Sequence, residues 1–328
     1  MRVALLCNMR AEAPAADPDD TFEEYDSPET IAAVARALGG LGVEVEPVAA
    51  DRRLPWRLEE GHYDFAFNIA EGQGRRCREA VPAAVCELLG LPFTGSDAVT
   101  LGVTLDKFLA RRVVSPEVPV AVGVLIQDEA DEDQLSGLRF PVLVKPNDEG
   151  SSKGIRGDPI AADAEAAGRH CRWLRARYGC PVLAEEFLPG MEVTVAVVGN
   201  GRCARVLGMM EIAPVSNERP FVYSLEVKRD WRRQVRYHMP PRLPEPVLTA
   251  IGCRALTANR LLGCRDVARL DFRMDEAGEP RFLECNPLPG LNPESSDIVI
   301  LSRHLLPYEK VVQGILLDAA CRYGVRIP

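Results

Sequence analysis

Histidine is scarce in this chain of 328 residues. There are four, at 62, 170, 238 and 304. None falls in a motif that carries chemistry, so a histidine-based triad is not expected. The ten cysteines form no C-x-x-C pair, and several sit inside apolar runs such as Val3-Ala4-Leu5-Leu6-Cys7. That pattern argues against a zinc site or a disulfide framework, and for small buried thiols in a reducing compartment. No apolar stretch approaches the length of a membrane span. The run at the N-terminus is too short for a signal peptide and no small-residue cleavage site follows it. The expected location is cytoplasmic. Neither the phosphate loop G-x-x-x-x-G-K-[ST] nor the dinucleotide fingerprint G-x-G-x-x-G occurs, so neither of those nucleotide-binding designs has support. A basic stripe is also missing. The net charge is −9, and the densest basic run, Lys228-Arg229-Asp230-Trp231-Arg232-Arg233, is one short stretch. Nucleic acid is therefore not an expected partner. No internal repeat or low-complexity tract is present.

What is present is a globular composition. Hydrophobic residues make up 47% of the chain, enough to bury a core, and the length suggests two or three domains. Val3–Cys7 reads as a buried parallel strand. Acidic, proline-containing sequence follows to about residue 28. A helix then starts at Ser27-Pro28-Glu29-Thr30, with serine as cap and proline in the first turn, and ends at Gly39-Gly40. Further strands are expected at 43–45 and 64–68 and a helix at 79–90. This alternation points to a small α/β domain. A second unit starts near residue 98, with a helix around 106–114, an acidic exposed stretch at 127–133, and a strand at 140–145 that leads into a glycine- and serine-rich loop. A helix at 163–178 and a strand at 181–187 follow. The last third carries strand-rich sequence at 192–213, a charged segment at 223–236, a helix at 244–262 and a hairpin at 267–286. The hairpin turns at Asp275-Glu276-Ala277-Gly278.

That hairpin is a candidate metal site. Side chains alternate along a strand, so Arg269 and Asp271 share one face of the first strand, and Glu284 and Asn286 share one face of the second. If the faces coincide, three oxygen-bearing groups and one guanidinium converge. Such oxygens suit hard cations such as Mg²⁺, and Arg269 is placed to hold an anionic reacting group. The alternative is an exposed face with ordinary charges. The loop Asn286-Pro287-Leu288-Pro289-Gly290 would stiffen the backbone beside the site. Upstream, Lys145 ends a strand and Asn147-Asp148-Glu149-Gly150-Ser151-Ser152-Lys153-Gly154 follows. Small residues there allow backbone N–H groups to approach a phosphate. The alternative is a plain flexible turn.

Several segments then occur in a telling order. They are Gly90-Leu91-Pro92-Phe93-Thr94-Gly95-Ser96, Leu105-Asp106-Lys107, Lys145-Pro146, Glu149-Gly150-Ser151-Ser152, Glu185-Glu186-Phe187-Leu188, Gly190-Met191-Glu192-Val193-Thr194, Arg269-Leu270-Asp271-Phe272-Arg273 and Glu284-Cys285-Asn286-Pro287-Leu288-Pro289-Gly290. The ordered set resembles the D-alanine–D-alanine ligases of the ATP-grasp superfamily, from about residue 60 to 300.

The resemblance implies an α/β chain built from α+β subdomains: an ATP-grasp fold preceded by a small parallel-sheet domain. The expected divisions are 1–97, 98–187 and 188–328. It implies ATP, with Lys107, Lys145 and Ser152 at its phosphates, Glu185, Glu186 and Leu188 at the adenine hinge, and Glu192 on the ribose. It implies two Mg²⁺ ions, with Mn²⁺ as a substitute, on Asp271, Glu284 and Asn286. Arg269 would stabilise the oxyanion, Ser151 would lie near the amino-acid substrates, Ser295 near the carboxylate of the attacking one, and Lys228, in a mobile segment at 222–230, at the γ-phosphate. The implied reaction is amide formation through an acylphosphate. Expected partners are small-molecule amino acids or peptides, with a homodimer left open, and no nucleic acid or membrane.

Three departures bear on substrate. The segment Phe67-Asn68-Ile69-Ala70-Glu71-Gly72-Gln73-Gly74-Arg75-Arg76-Cys77-Arg78 replaces the family's His-Gly and Gly-Glu-Asp-Gly type sequence. Its arginines, Arg78 in particular, suggest an extra anionic group on the substrate, or else surface charge. Arg229 follows Lys228 where the family carries a tyrosine that helps bind the first D-alanine. The family's early glutamate is Glu23 or Glu24, with Glu24 taken as the substrate contact. The expectation is therefore a D-alanine–D-alanine ligase-like enzyme with altered substrates. Its rivals are a genuine D-alanine–D-alanine ligase and a nucleotide-binding regulatory protein without turnover.

Overall fold

The structure is a computed structural model that describes residues 1–11, 18–216 and 220–328. Part of the acidic stretch after β1, at 12–17, lies outside those residues. The first unit is β1 (Arg2–Cys7), α1 (Pro28–Gly39), β2 (Glu44–Ala49), α2 (Leu54–Gly61), β3 (Phe65–Asn68) and α3 (Ala80–Leu89). The strands form a parallel sheet in the order β2-β1-β3. Helices cover both faces of β1, which explains its unbroken apolar run. The Ser27 hydroxyl caps α1 by accepting from the Thr30 N–H at 3.3 Å.

The middle of the chain gives α4 (Ala98–Leu105), α5 (Lys107–Val114), β4 (Gly123–Ile126), β5 (Val142–Pro146), β6 (Ile160–Ala161), α6 (Ala164–Tyr178) and β7 (Val182–Glu186). Its antiparallel sheet runs β4-β7-β5-β6 and packs on α6 through Val142, Val144, Cys171 and Leu174. The acidic stretch after β4 is a 3₁₀ segment from Glu129 to Gly137, opened by a reciprocal cap between Asp128 and Asp131. Helices α4 and α5 turn away from this sheet. Ala110 and Val114 join the core of the C-terminal unit instead.

That last unit is β8 (Glu192–Val198), β9 (Arg205–Pro214), α7 (Leu225–Arg229), α8 (Trp231–Gln234), β10 (Val235–His238), α9 (Glu245–Leu262), β11 (Val267–Met274), β12 (Pro280–Asn286), α10 (Asp297–Ser302) and α11 (Tyr308–Tyr323). The antiparallel sheet runs β10-β9-β8-β11-β12. Asp275 closes the β11–β12 turn by accepting from the Ala277 and Glu279 N–H groups, both at 2.9 Å. Helix α11 returns to the first unit and packs on α1. Leu316, Ala319, Leu38 and Val34 share one core with Met210 and Ile298. The chain's two ends are thereby joined, and the Gln313 amide donates to the Ala37 carbonyl at 2.9 Å.

Candidate active site

Strand pairing decides the hairpin. Arg269 lies opposite Asn286 and Asp271 opposite Glu284 in the β11–β12 ladder. Directly opposed residues point to the same face of a sheet, so the two candidate faces coincide. A bulge after Asp271 shifts the register, and Phe272 pairs with Phe282. On the other side of β11, Thr194 of β8 lies opposite Asp271, and its hydroxyl donates to Asp271 Oδ1 at 2.8 Å.

Charge is concentrated around this face. Arg269 donates to Asp271 Oδ2 through Nε at 3.1 Å and Nη2 at 2.9 Å, and reaches Asp297 at 3.2 Å and Glu284 at 3.6 Å. Its burial disfavours the cation, but Asp271, Asp297 and Glu284 outweigh that and raise its pKa. Lys107 stands 3.6 Å from Glu284. Burial alone would raise the Glu284 carboxyl; Lys107, Lys145 and Arg269 instead hold it down at about 2. Burial raises Asp271, with Arg269 opposing. Asn286 turns its Oδ1 toward the Leu288 N–H at 2.8 Å, which fixes the proline-rich loop behind it.

The opposite wall comes from β5, β7 and the loop after β5. Lys145 is buried and 3.0 Å from Glu185, which also pairs with Arg111. Burial lowers the Lys145 pKa and Glu185 resists it. Glu185 is buried and held below its ordinary range by Arg111 and Lys145 against its own desolvation. In the loop, Ser151 and Ser152 adopt positive φ values of 50° and 59°. Such left-handed conformations turn successive N–H groups to one side, as a phosphate cradle requires. The Ser152 hydroxyl donates to the Tyr223 carbonyl at 2.8 Å, and Lys228 of α7 donates to Ser151 Oγ at 3.1 Å. The segment bearing Lys228 is thus latched onto the loop.

Between the walls lies a cleft of about 800 Å³. Lys145, Ser151, Ser152, Glu185, Glu186, Leu188, Glu192, Lys228, Arg269, Asp271 and Glu284 all border it. Glu192 meets Arg273 at 3.3 Å, and burial pushes its carboxyl up to about 7. A second, adjoining cavity of about 510 Å³ is bordered by Lys107, Ser151, Arg269, Glu284, Asn286 and Glu24.

Other expected site residues lie elsewhere. Ser295 is exposed and borders neither cavity; its N–H donates to Asn292 Oδ1 at 3.0 Å. Arg229 points away and binds Asp19 at 3.0 Å and Glu23 at 2.7 Å. Arg78 is buried, with Nη2 2.9 Å from both oxygens of Glu24 and Nη1 2.8 Å from the Asp148 carbonyl. Arg75 and Arg76 are exposed. They reach the Gly179 carbonyl and Asp106 at 2.8 and 3.0 Å.

Sequence reasoning missed Asp297, Thr194, Arg111 and Arg273. Arg273 had a signal, since it is two residues beyond Asp271 on the same strand face. Asp297 had none: it stands at the start of a helix of six residues whose position only the fold determines.

The arrangement holds oxygen donors on one wall and ammonium and guanidinium groups around it. It can bind an anion such as a polyphosphate, accommodate a hard cation, and stabilise negative charge at Arg269. The family model described as "D-ala D-ala ligase C-terminus" matches residues 122–317. A D-alanine–D-alanine ligase of Anaeromyxobacter sp. (strain Fw109-5) is 33% identical over 302 residues, covering 89% of this chain and 92% of that protein. The solved D-alanine–D-alanine ligase from Bacillus anthracis complexed with ATP superposes with a TM-score of 0.76 at 18% identity, covering 99% of both chains. The VanG D-Ala:D-Ser ligase from Enterococcus faecalis gives 0.72 at 19%, covering 97% of this chain and 99% of that one. At such identities the two structures speak for the fold alone.

Proposed function

The chain belongs to the D-alanine–D-alanine ligase family and is an ATP-grasp ligase that forms carbon–nitrogen bonds; on that premise we propose that it joins an acid and an amine other than two D-alanines, through an acylphosphate. The observation that carries the reading is the opposed pairing of Asp271 with Glu284 and Arg269 with Asn286, facing Lys107 and Lys145.

In this proposal ATP lies in the larger cleft, between the units 98–187 and 188–328, with 1–97 on the substrate side. Lys107, Lys145 and Lys228 bind phosphate oxygens, and the Ser151-Ser152 backbone cradles them. Glu186 and Leu188 border the base, Glu185 holds Lys145 in place, and Glu192 takes the ribose. Asp271, Glu284 and Asn286 would hold Mg²⁺, with Mn²⁺ as a substitute; two ions bound there would screen the charge that builds during phosphoryl transfer. The fit rests on an all-oxygen donor set. The substrate carboxylate attacks the γ-phosphate and ADP leaves. The neutral amine then attacks the acyl carbon, Arg269 stabilises the oxyanion, and phosphate departs while the nitrogen releases a proton as the amide forms. No side chain acts as a nucleophile, so catalysis is positioning and charge stabilisation. Amino acids or short peptides are the proposed partners, and assembly as a homodimer, which light scattering would measure, belongs to the same proposal.

Altered substrates are supported by Arg229, which stands after Lys228 and is engaged by Asp19 and Glu23, and by Arg78, which is engaged by Glu24. The test is ADP release over a panel of D- and L-amino acids and dipeptides. Turnover on D-alanine alone that matches or exceeds every other pair sinks the altered-substrate reading. The second reading, a genuine D-alanine–D-alanine ligase, is favoured by the names of the curated relatives. Mass detection of D-alanyl-D-alanine as the dominant product would establish it.

A further inference from the structure

Strand pairing brings an arginine beside Glu192 in the larger cleft. In the β8–β11 ladder Arg273 lies opposite Glu192, and directly opposed side chains share a face. Arg273 is only 5% exposed and borders the cleft together with Glu192 and Phe187. Its guanidinium is fixed on three sides. Nη1 stands 3.3 Å from Glu192 Oε2, Nη2 donates to the Phe221 carbonyl at 2.6 Å, and Cζ lies 4.8 Å from the centre of the Phe187 ring. Phe187 stands between Glu186 and Leu188, in the segment that joins β7 to β8. Gly190 lets that segment approach β11. A Cβ there would stand 2.5 Å from Met274 Cβ and 2.6 Å from the Met274 carbonyl oxygen. A larger residue would push the segment, and Phe187 with it, away from the end of β11.

Burying a guanidinium is costly unless it is paired and hydrogen-bonded. Glu192 is the partner that gives this one a use. Burial pushes the Glu192 carboxyl up, and Arg273 is the strongest influence against that. Asp271 and Glu284 act in the same direction as burial, while Lys145 opposes them but is held by Glu185 at 3.0 Å. The bond from Arg273 to Oε2 takes one of about four acceptor positions on the carboxylate. Oε1 and the rest of Oε2 stay available to two hydroxyl donors in the cleft. A terminal carboxylate torsion is soft, so without Arg273 the group would turn and lose that aim.

We propose that Arg273 is a positioning residue for ribose recognition: it holds the Glu192 carboxylate in the orientation that accepts both ribose hydroxyls, and thereby makes nucleotide binding depend on them. This rests on the placing of the ribose at Glu192 in the reading above. The rival is a plain clamp, in which Arg273 only ties Phe187 and Phe221 to β11. Removing a clamp weakens every nucleotide alike, whereas removing a positioning residue weakens only those that carry the hydroxyls.

Binding can be measured with neither acid nor amine in hand. Calorimetry with Mg²⁺, at pH ~8 so that Glu192 is ionised, compares ADP with 2′-deoxy-ADP and 3′-deoxy-ADP. The wild-type Kd for each deoxy form should be at least about tenfold weaker than for ADP, as expected for a lost hydrogen bond to a charged group. In Arg273→Met both ratios should fall to within about twofold of one. The change should come from weaker ADP binding with the deoxy forms little altered, and Arg273→Lys should restore part of the difference. Ratios that survive in Arg273→Met, or an equal loss for all three nucleotides, overturn the proposal. Arg273→Gln gives the same reading if the methionine variant does not fold. Glu192→Gln should collapse the ratios too, and adding Arg273→Met to it should change them no further. If Glu192→Gln removes the hydroxyl dependence and Arg273→Met keeps it, the ribose reading stands and the proposal alone fails. If the wild type binds all three alike, or Glu192→Gln keeps the dependence, the ribose reading fails and takes the proposal with it.

Discussion

Glu185 anchors two cations in the floor of the cleft. It is buried against Arg111 and Lys145, so Glu185→Gln strands both charges. Breaking a buried pair by removing one partner costs about 3–5 kcal/mol. The urea midpoint of Glu185→Gln should fall accordingly with an unchanged m value. Asp271 behaves differently. In Asp271→Asn the Thr194 hydroxyl keeps an acceptor and volume is conserved, but a charged oxygen at the proposed metal face is lost. kcat should fall at least about a hundredfold with little change in the thermal midpoint; activity within threefold of wild type would remove Asp271 from the machinery. Strand alternation made Asp271, Glu284 and Asn286 legible in the sequence. Glu185 was legible only as part of a family segment, because its partner Arg111 is 74 positions away by residue number and no local pattern links them.

At the scale of elements, α7 controls Lys228. The helix has five residues, too few to be stable alone. It is held by the Ser224 cap, which accepts from the Val227 N–H at 3.4 Å, and by the bond from Lys228 to Ser151. Losing a serine cap costs about 1 kcal/mol, roughly fivefold in a local opening equilibrium. Ser224→Ala should speed amide exchange across 223–230 by about that factor and raise KM for ATP. A KM equal to wild type would separate α7 from nucleotide binding. Helices α1, α6 and α9 were readable, with Ser27 as the cap of α1, whereas α11 was not despite its 16 residues. Short pieces were not. The six residues of α10 and the two of β6 hold too little pattern, and their form is imposed by neighbours.

Across the whole molecule, burial sets two opposed pH responses. Burial raises Asp26, Glu79 and Glu192 to about 7. Between the ordinary carboxyl range and pH 7 the folded state holds protons that the unfolded state has lost. Each of these groups therefore adds stability at low pH that is lost as pH rises toward 7, at most about 1.4 kcal/mol per unit. Glu24, Glu185 and Glu284 are lowered; their contribution is present above the ordinary range and lost as pH falls below it. Stability of the nucleotide-free protein should thus peak near pH ~5. Glu79→Gln should flatten the decline from 5 to 7, as chemical denaturation across pH would read. The sequence alone determined most of the strands, several of the helices, the family, and the alternation that sets Arg269 with Asp271 and Glu284 with Asn286, because caps, alternation and ordered segments are local properties. Only the tertiary structure decided what depends on distant residues meeting. It brought the two hairpin faces into register, folded α11 back onto α1, brought Asp297 to Arg269, turned Arg229 outward to Asp19, and paired Arg78 with Glu24. A period can be read along the chain, whereas charge balance inside a cavity exists only once the chain has closed around it.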